Sequence, residues 1–168
     1  QGEADEASKA DSEVLRLEPG DVADYRGRGS AYGVKGESDQ AIKDDSEAIR
    51  LKPDYANAYA SRGSAYGNKG EPDKAIKDFS EAIRLKPDYA EAYRNRGIAF
   101  HFQKKYDQAI KDYSKVIMLK PDDANAYASR GSAYGYKGES DQAIKDYSKV
   151  IMLKPDDSAA YSGRGTAY

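Results

Sequence analysis

A fixed spacing of 34 residues recurs along this chain and constrains its fold more than any other feature. Five of its six prolines, at positions 19, 53, 87, 121 and 155, follow this spacing. The similarity covers the whole unit, since 26 of 34 positions are identical between residues 56–89 and residues 124–157. Close identity at a fixed period of this length predicts a stacked array in which each repeat contacts its neighbours.

Each repeat contains two stretches with the periodicity of an α-helix. In residues 56–69, Tyr59, Gly63 and Tyr66 share one face, at spacings of four and three residues. A glycine inside a helix costs about 1 kcal/mol relative to alanine. This central glycine nevertheless recurs in every first helix, at positions 29, 63, 97, 131 and 165. The recurrence predicts a close crossing of two helices that leaves no space for a Cβ atom. The second stretch begins near Pro72, and its apolar stripe consists of Ala75, Ile76, Phe79, Ala82 and Ile83.

This unit resembles the tetratricopeptide repeat, a helix–turn–helix of 34 residues. The resemblance rests on an aromatic residue, a glycine and a tyrosine in the first helix, then alanine, an aromatic residue and alanine in the second, and a terminal proline. In the second repeat these residues are Tyr59, Gly63, Tyr66, Ala75, Phe79, Ala82 and Pro87. The resemblance implies an all-α fold, a right-handed α-solenoid whose first helices line a concave groove.

The array begins and ends out of phase with its own repeat. Residues 1–21 align with a second helix alone, and residues 158–168 align with a first helix alone. The four full repeats between them span residues 22–55, 56–89, 90–123 and 124–157. We therefore expect about ten helices in a single array.

The two ends are complementary, and this leaves three interpretations open. The chain is a fragment of a longer array, a subunit that assembles head to tail, or an array with a solvated end. The first residue, Gln1, is not methionine, which favours processing or a fragment. Head-to-tail contact would be heterologous and non-closing, as in filaments. Its candidate interface residues are Ala7, Val14, Leu15, Tyr161, Gly165 and Tyr168.

Composition and charge exclude several classes of function. The formal net charge of −2 gives no electrostatic argument for binding nucleic acid or anionic membrane. No apolar run approaches the roughly 18 residues of a membrane span. Without cysteine there are no disulfides and no thiolate zinc sites. We expect a soluble protein without cofactor or metal, and the compartment, cytoplasmic or extracellular, stays open.

Arginine stands directly before the central glycine of every first helix, where the family often has leucine. The positions are Arg28, Arg62, Arg96, Arg130 and Arg164. One interpretation is a row of guanidinium groups that bind phosphate or carboxylate ligands. The other is structural pairing with aspartates that recur at the same period, namely Asp44, Asp78, Asp112 and Asp146. Recurrence in nearly identical repeats favours the structural interpretation.

The groove side of the first helices is the predicted binding surface for a protein or peptide. The second and fourth repeats place small neutral residues there, whereas the third repeat diverges. This divergence indicates either a specificity patch or drift in a tolerant region. The candidate groove residues are Arg26, Asn57, Arg94, Asn95, Ile98, His101, Phe102 and Asn125. A clamp for a peptide carboxylate, as in some family members, is not matched, because Ser30 and Glu91 occupy clamp positions.

No set of residues in the sequence points to catalysis. His101 is the only histidine, and no partner that would make it a base is identifiable. The sequence therefore favours a non-enzymatic scaffold that binds a protein or peptide in the groove. The alternative is a structural subunit that assembles head to tail into a continuous solenoid filament.

Overall fold

Repeated pairs of α-helices form the described part of the chain. The computed structural model describes residues 21–167, together with Gly2, Glu6, Lys9, Ala10, Ser12 and Glu13. The helices between residues 21 and 167 are α1 (Val22–Lys35), α2 (Ser38–Leu51), α3 (Ala56–Asn68), α4 (Pro72–Leu85), α5 (Ala90–Phe102), α6 (Tyr106–Leu119), α7 (Ala124–Lys137), α8 (Ser140–Leu153) and α9 (Ser158–Ala167). This range contains no β-strand. The lone second helix predicted for residues 1–21 lies mostly outside the described residues.

The helices group into two compact units. Unit 1 comprises residues 1–89 and includes α1 to α4, while unit 2 comprises residues 90–168 and includes α5 to α9. Within each unit the first and second helices of a repeat pack against each other, and neighbouring first helices also touch. No helix in the described range is both long and apolar enough to cross a membrane.

Turns between paired helices use a left-handed residue at one recurring position. Gly36, Gly70 and Gly138 have φ angles of 78°, 74° and 82° there. In the third repeat the same position is Lys104, with φ 59°. A side chain in this region is strained, whereas glycine is not. The third repeat therefore departs from the others in its turn as well as in its sequence.

The predicted close crossing at the central glycines is present in both units. A Cβ atom at Gly63 would lie 2.9 Å from Cε1 of Phe79, and one at Gly97 would lie 2.7 Å from Cε1 of Tyr113. Both rings are almost fully buried. The remaining core is largely alanine, and most other tyrosines are only half-buried.

The recurring arginines form structural ion pairs with the recurring aspartates. In the second repeat, Nε and Nη2 of Arg62 donate to the two carboxylate oxygens of Asp78 at 2.7 and 2.9 Å. The same two-bond pair joins Arg28 to Asp44, Arg96 to Asp112 and Arg130 to Asp146. The four aspartates are buried. The structural interpretation of the arginine row is therefore confirmed for these four pairs.

Candidate protein-interaction face

The exposed side of the first helices of unit 2, α5, α7 and α9, differs in chemistry from that of unit 1. In unit 2 it presents three large apolar side chains, Ile98, Phe102 and Tyr136, which are 38%, 82% and 68% exposed. We call these three residues the apolar patch. The positions in α3 that correspond to Ile98 and Phe102 hold Ser64 and Asn68. Exposed apolar side chains clustered on one face mark an interaction surface more often than a solvated one.

Three aromatic rings hold one edge of this patch in place. The His101 ring lies edge-on to Tyr106 and Tyr136, with ring centroids 5.3 and 5.2 Å apart. The Tyr106 and Tyr136 rings stack at 5.6 Å, with planes inclined by 10°. Burial lowers the pKa of His101 below its ordinary value, so its imidazole is neutral at pH 7. His101 thus serves as a packing ring that orients Tyr136.

Arg94 and Asn95 lie beside the patch but do not add a free charge to it. A terminal guanidinium nitrogen of Arg94 donates to Oδ2 of Asp123, the residue that caps α7. Its Nε atom is buried and has no hydrogen-bond partner. Asn95 is half-buried, and Asn125 on α7 is exposed. Arg94 therefore adds no unpaired charge to the patch.

The candidate groove residues of unit 1 have a different setting. Asn57 is exposed on α3. Arg26 is half-buried on α1, and its Nε atom is buried without a hydrogen-bond partner. Tyr55 stands where Asp123 stands in unit 2, so Arg26 lacks the carboxylate that neutralises Arg94. At the positions that correspond to Ile98 and Phe102, α3 has Ser64 and Asn68, whereas α1 has Ser30 and the exposed Val34.

A pocket opens next to Tyr136, between α7, α8 and α9. It has a volume of about 340 Å³. The residues that line it are Ser132, Gly135, Tyr136, Ser140, Tyr147, Gly163, Thr166 and Ala167, and all are uncharged. The sequence alone did not indicate a pocket here. Tyr136 was detectable, since it is one of the few differences between the second and fourth repeats and replaces Asn68.

The proposed end-to-end interface falls partly outside the described residues. Ala7, Val14, Leu15 and Tyr168 are not described. On α9, Tyr161 is 47% exposed, and open space surrounds the position of a Cβ atom at Gly165. The head-to-tail contact thus stays a prediction.

Groups that would bind a metal are not brought together in residues 21–167. No cluster of three or more histidine, aspartate or glutamate side chains there is placed to hold an ion. The buried aspartates of the arginine pairs are occupied by guanidinium groups at 2.6 to 2.9 Å.

The family model of the tetratricopeptide repeat matches residues 56–89, 90–123 and 124–157. The chain belongs to the tetratricopeptide repeat family. A second model of this repeat matches residues 29–70. No match was found among the curated proteins.

Solved tetratricopeptide repeat structures share the fold over most of the chain. A crystal structure of MamA is 32% identical, with a TM-score of 0.86 over 94% of this chain and 92% of that one. YrrB, described as a TPR protein with an unusual peptide-binding site, is 22% identical, with a TM-score of 0.83 over 98% and 84%. The first TPR domain of Spaghetti (RPAP3), bound to the HSP90 peptide SRMEEVD, is 26% identical, with a TM-score of 0.64 over 67% and 89%.

These similarities confirm the solenoid class of helix–turn–helix repeats. They also support the coarse function predicted from the sequence, a protein–protein interaction scaffold of a family that is typically non-enzymatic.

Proposed function

We propose that this tetratricopeptide repeat protein binds an extended segment of a partner protein on the first-helix face of unit 2, without catalysis. The observation that carries the proposal is the apolar patch of Ile98, Phe102 and Tyr136. Its side chains are exposed, and they replace small polar residues found in the second repeat. Burying exposed aromatic side chains is the main source of affinity in such interfaces.

The electrostatics of the face favour a neutral, apolar segment. Arg94 is already paired with Asp123, so the patch offers no unpaired guanidinium to a carboxylate. Glu91 is exposed at the start of α5 and adds negative charge. We therefore expect a partner segment with aromatic or aliphatic side chains, and not one read through acidic groups.

The packing of Tyr136 against His101 and Tyr106 supports the same proposal. A ring held by two neighbours loses little conformational entropy when a partner covers it. Preorganised aromatic side chains of this kind are typical of interface residues with large contributions to affinity.

The test is selection of binding segments from a random peptide phage library against the full chain, followed by fluorescence polarisation with the selected peptides. Phe102→Asn introduces the residue found at the corresponding position 68. We expect it to weaken binding at least about tenfold, because removal of a central interface aromatic side chain costs about 1.4 kcal/mol or more.

A matched control lies on the second helix of the same repeat. Met118 is 73% exposed, a fraction similar to the 82% of Phe102. Met118→Arg introduces the residue found at position 84. Affinity should be unchanged in this variant. Equal weakening by both substitutions, or selected peptides that bind regardless of Phe102, would refute the proposed face.

A second candidate function is head-to-tail self-association through α9. It is favoured by the open face around Gly165, since the central glycines Gly63 and Gly97 are covered by aromatic rings. A second helix from another copy would supply such a ring. Light-scattering mass should then rise with protein concentration, and Gly165→Leu should abolish the rise. A constant monomer mass would exclude this candidate.

A further inference from the structure

One aromatic ring of unit 2 departs from the packing that the other repeats use. Phe79 and Tyr113 each lie against the central glycine of the first helix in their own repeat. Tyr147 occupies the same repeat position, and a Cβ atom at Gly131 would lie 3.2 Å from Cβ of Asp146 and 3.4 Å from Cε2 of Tyr147. The Tyr147 ring also packs against α9, and more closely, since a Cβ atom at Gly163 would be 2.6 Å from Cζ.

The sequence of α9 explains this close contact. Gly163 stands where Ser129 stands one repeat earlier, 16 residues after the aromatic position in both cases. A side chain at position 163 would occupy the space of the Tyr147 ring. In the preceding repeat Ser129 carries a Cβ atom, and Tyr113 stays fully buried against Gly97.

The Tyr147 ring, packed against α9, forms a wall of the pocket described above. Tyr147 is half-buried, and the nearby Ser132 hydroxyl stabilises the ionised form of its phenol. Burial raises the pKa of the Tyr147 phenol, so its proton is retained at neutral pH. Tyr136 lines the pocket and also belongs to the apolar patch, so the two features are continuous.

The lining specifies the shape and polarity of an occupant. Gly135 exposes backbone without a side chain, and flat groups can approach such a surface closely. Hydroxyls of Ser132, Ser140 and Thr166 offer hydrogen bonds, and no charged side chain lines the walls. A volume of about 340 Å³ falls within the range of ligand sites.

We infer that this pocket receives a tyrosine side chain of the bound segment, an inference that rests on the proposed function. The ring lies between the Tyr136 and Tyr147 rings, and its hydroxyl bonds to the serine and threonine hydroxyls. Aliphatic side chains lack the hydrogen-bonding group, and charged side chains find no opposite charge.

The test is NMR titration of the full ¹⁵N-labelled chain with N-acetyl-tyrosinamide, compared with N-acetyl-leucinamide. The tyrosine probe should shift the amide signals of Gly135, Gly163 and Thr166, and the leucine probe should leave them unchanged. Gly135→Ala adds a methyl group that meets no atom within 4 Å in the fold but enters the pocket. We expect this variant to weaken binding of the tyrosine probe by about tenfold, which corresponds to the loss of one aromatic contact.

Gly67→Ala is the matched control, because Gly67 holds the same repeat position in unit 1 and also has open space around it. This variant should bind the tyrosine probe like the unchanged chain. Equal shifts from both probes, or no shift at these three amides, would overturn the inference. If selected peptides still depend on Phe102 in that case, the proposed function stands and only the pocket assignment fails.

Discussion

In the first and second repeats of unit 1 the paired helices cross at the same glycine position. A carboxylate lies at the crossing of the first repeat, and an aromatic ring lies at that of the second. In the second repeat the Phe79 ring fills the space against Gly63. In the first repeat that position holds Asp45, and its Oδ1 would lie 3.1 Å from a Cβ atom at Gly29. Asp45 is 0% exposed. The crossing therefore persists without an aromatic ring, but a carboxylate is buried in its place.

The environment of Asp45 compensates only partly for this burial. Neither carboxylate oxygen has a partner that meets hydrogen-bond geometry. Burial raises the pKa of Asp45 to about 7, against the opposing influence of the Ser61 hydroxyl and the guanidinium groups of Arg62 and Arg26. A buried and poorly paired carboxylate destabilises the folded state whenever it is ionised. We therefore infer that the first repeat is less stable than the second at neutral pH.

The most direct test of this difference is to place an aspartate at the aromatic position of the second repeat. Phe79→Asp removes a ring that is 2% exposed and buries a carboxylate. We expect a loss of about 5 kcal/mol in the free energy of unfolding, from the lost packing and the desolvated charge together. Urea unfolding followed by circular dichroism measures it. A loss below that of Phe102→Asp, on an exposed ring, would show that the crossing does not depend on Phe79.

The pH dependence of the unfolding free energy tests the same difference between the two repeats. Asp45 binds its proton more tightly in the folded state, with a pKa of about 7 against an ordinary 3.8. Its contribution to stability is therefore fully present below about pH 4 and is lost as the pH rises through 7. We expect a loss of about 3 kcal/mol between pH 5 and pH 8 from this group.

Asp45→Asn removes this titration and supplies the control. The difference in unfolding free energy between the two proteins should change over that pH range, since the other titrating groups are common to both. Parallel pH profiles would contradict the raised pKa of the buried Asp45 side chain.

A smaller effect is expected from alanine at the two central glycines. Gly63→Ala places a Cβ atom 2.9 Å from the buried Phe79 ring and should destabilise the chain by about 2 kcal/mol. Gly29→Ala meets a carboxylate oxygen at 3.1 Å, and the gain of about 1 kcal/mol in helix propensity offsets much of the strain. The melting temperature of Gly63→Ala, measured by thermal unfolding, should lie well below that of Gly29→Ala. Equal effects would mean that ring and carboxylate fill the crossing equally.

Much of the fold was predictable because it depends on contacts that repeat at a fixed sequence separation. The helix pairs, the glycine crossings at Gly63 and Gly97, and the arginine–aspartate pairs all recur with the period of 34 residues. A pattern that recurs in several copies can be read from periodicity and checked between copies.

The candidate site was predicted only in part. Ile98, His101 and Phe102 stood out because the third repeat diverges there, and the structure leaves Ile98 and Phe102 exposed. Arg94 was named as a groove residue, but its pairing with Asp123, 29 residues away, follows from the packing of neighbouring first helices. Tyr136 and Tyr147 were missed because tyrosine is abundant in the chain and most copies serve the core or its edge.

The amino-acid sequence alone established the repeat, its helices and its family, because each depends on local periodicity and on contacts that recur in every copy. The tertiary structure decided what the single deviations do. Three features each depend on three helices at once. They are the burial of Asp45, the position of the Tyr147 ring, and the contacts that hold the Tyr136 ring. Such choices are made by the space and the charges that neighbouring helices leave, which no single helix specifies.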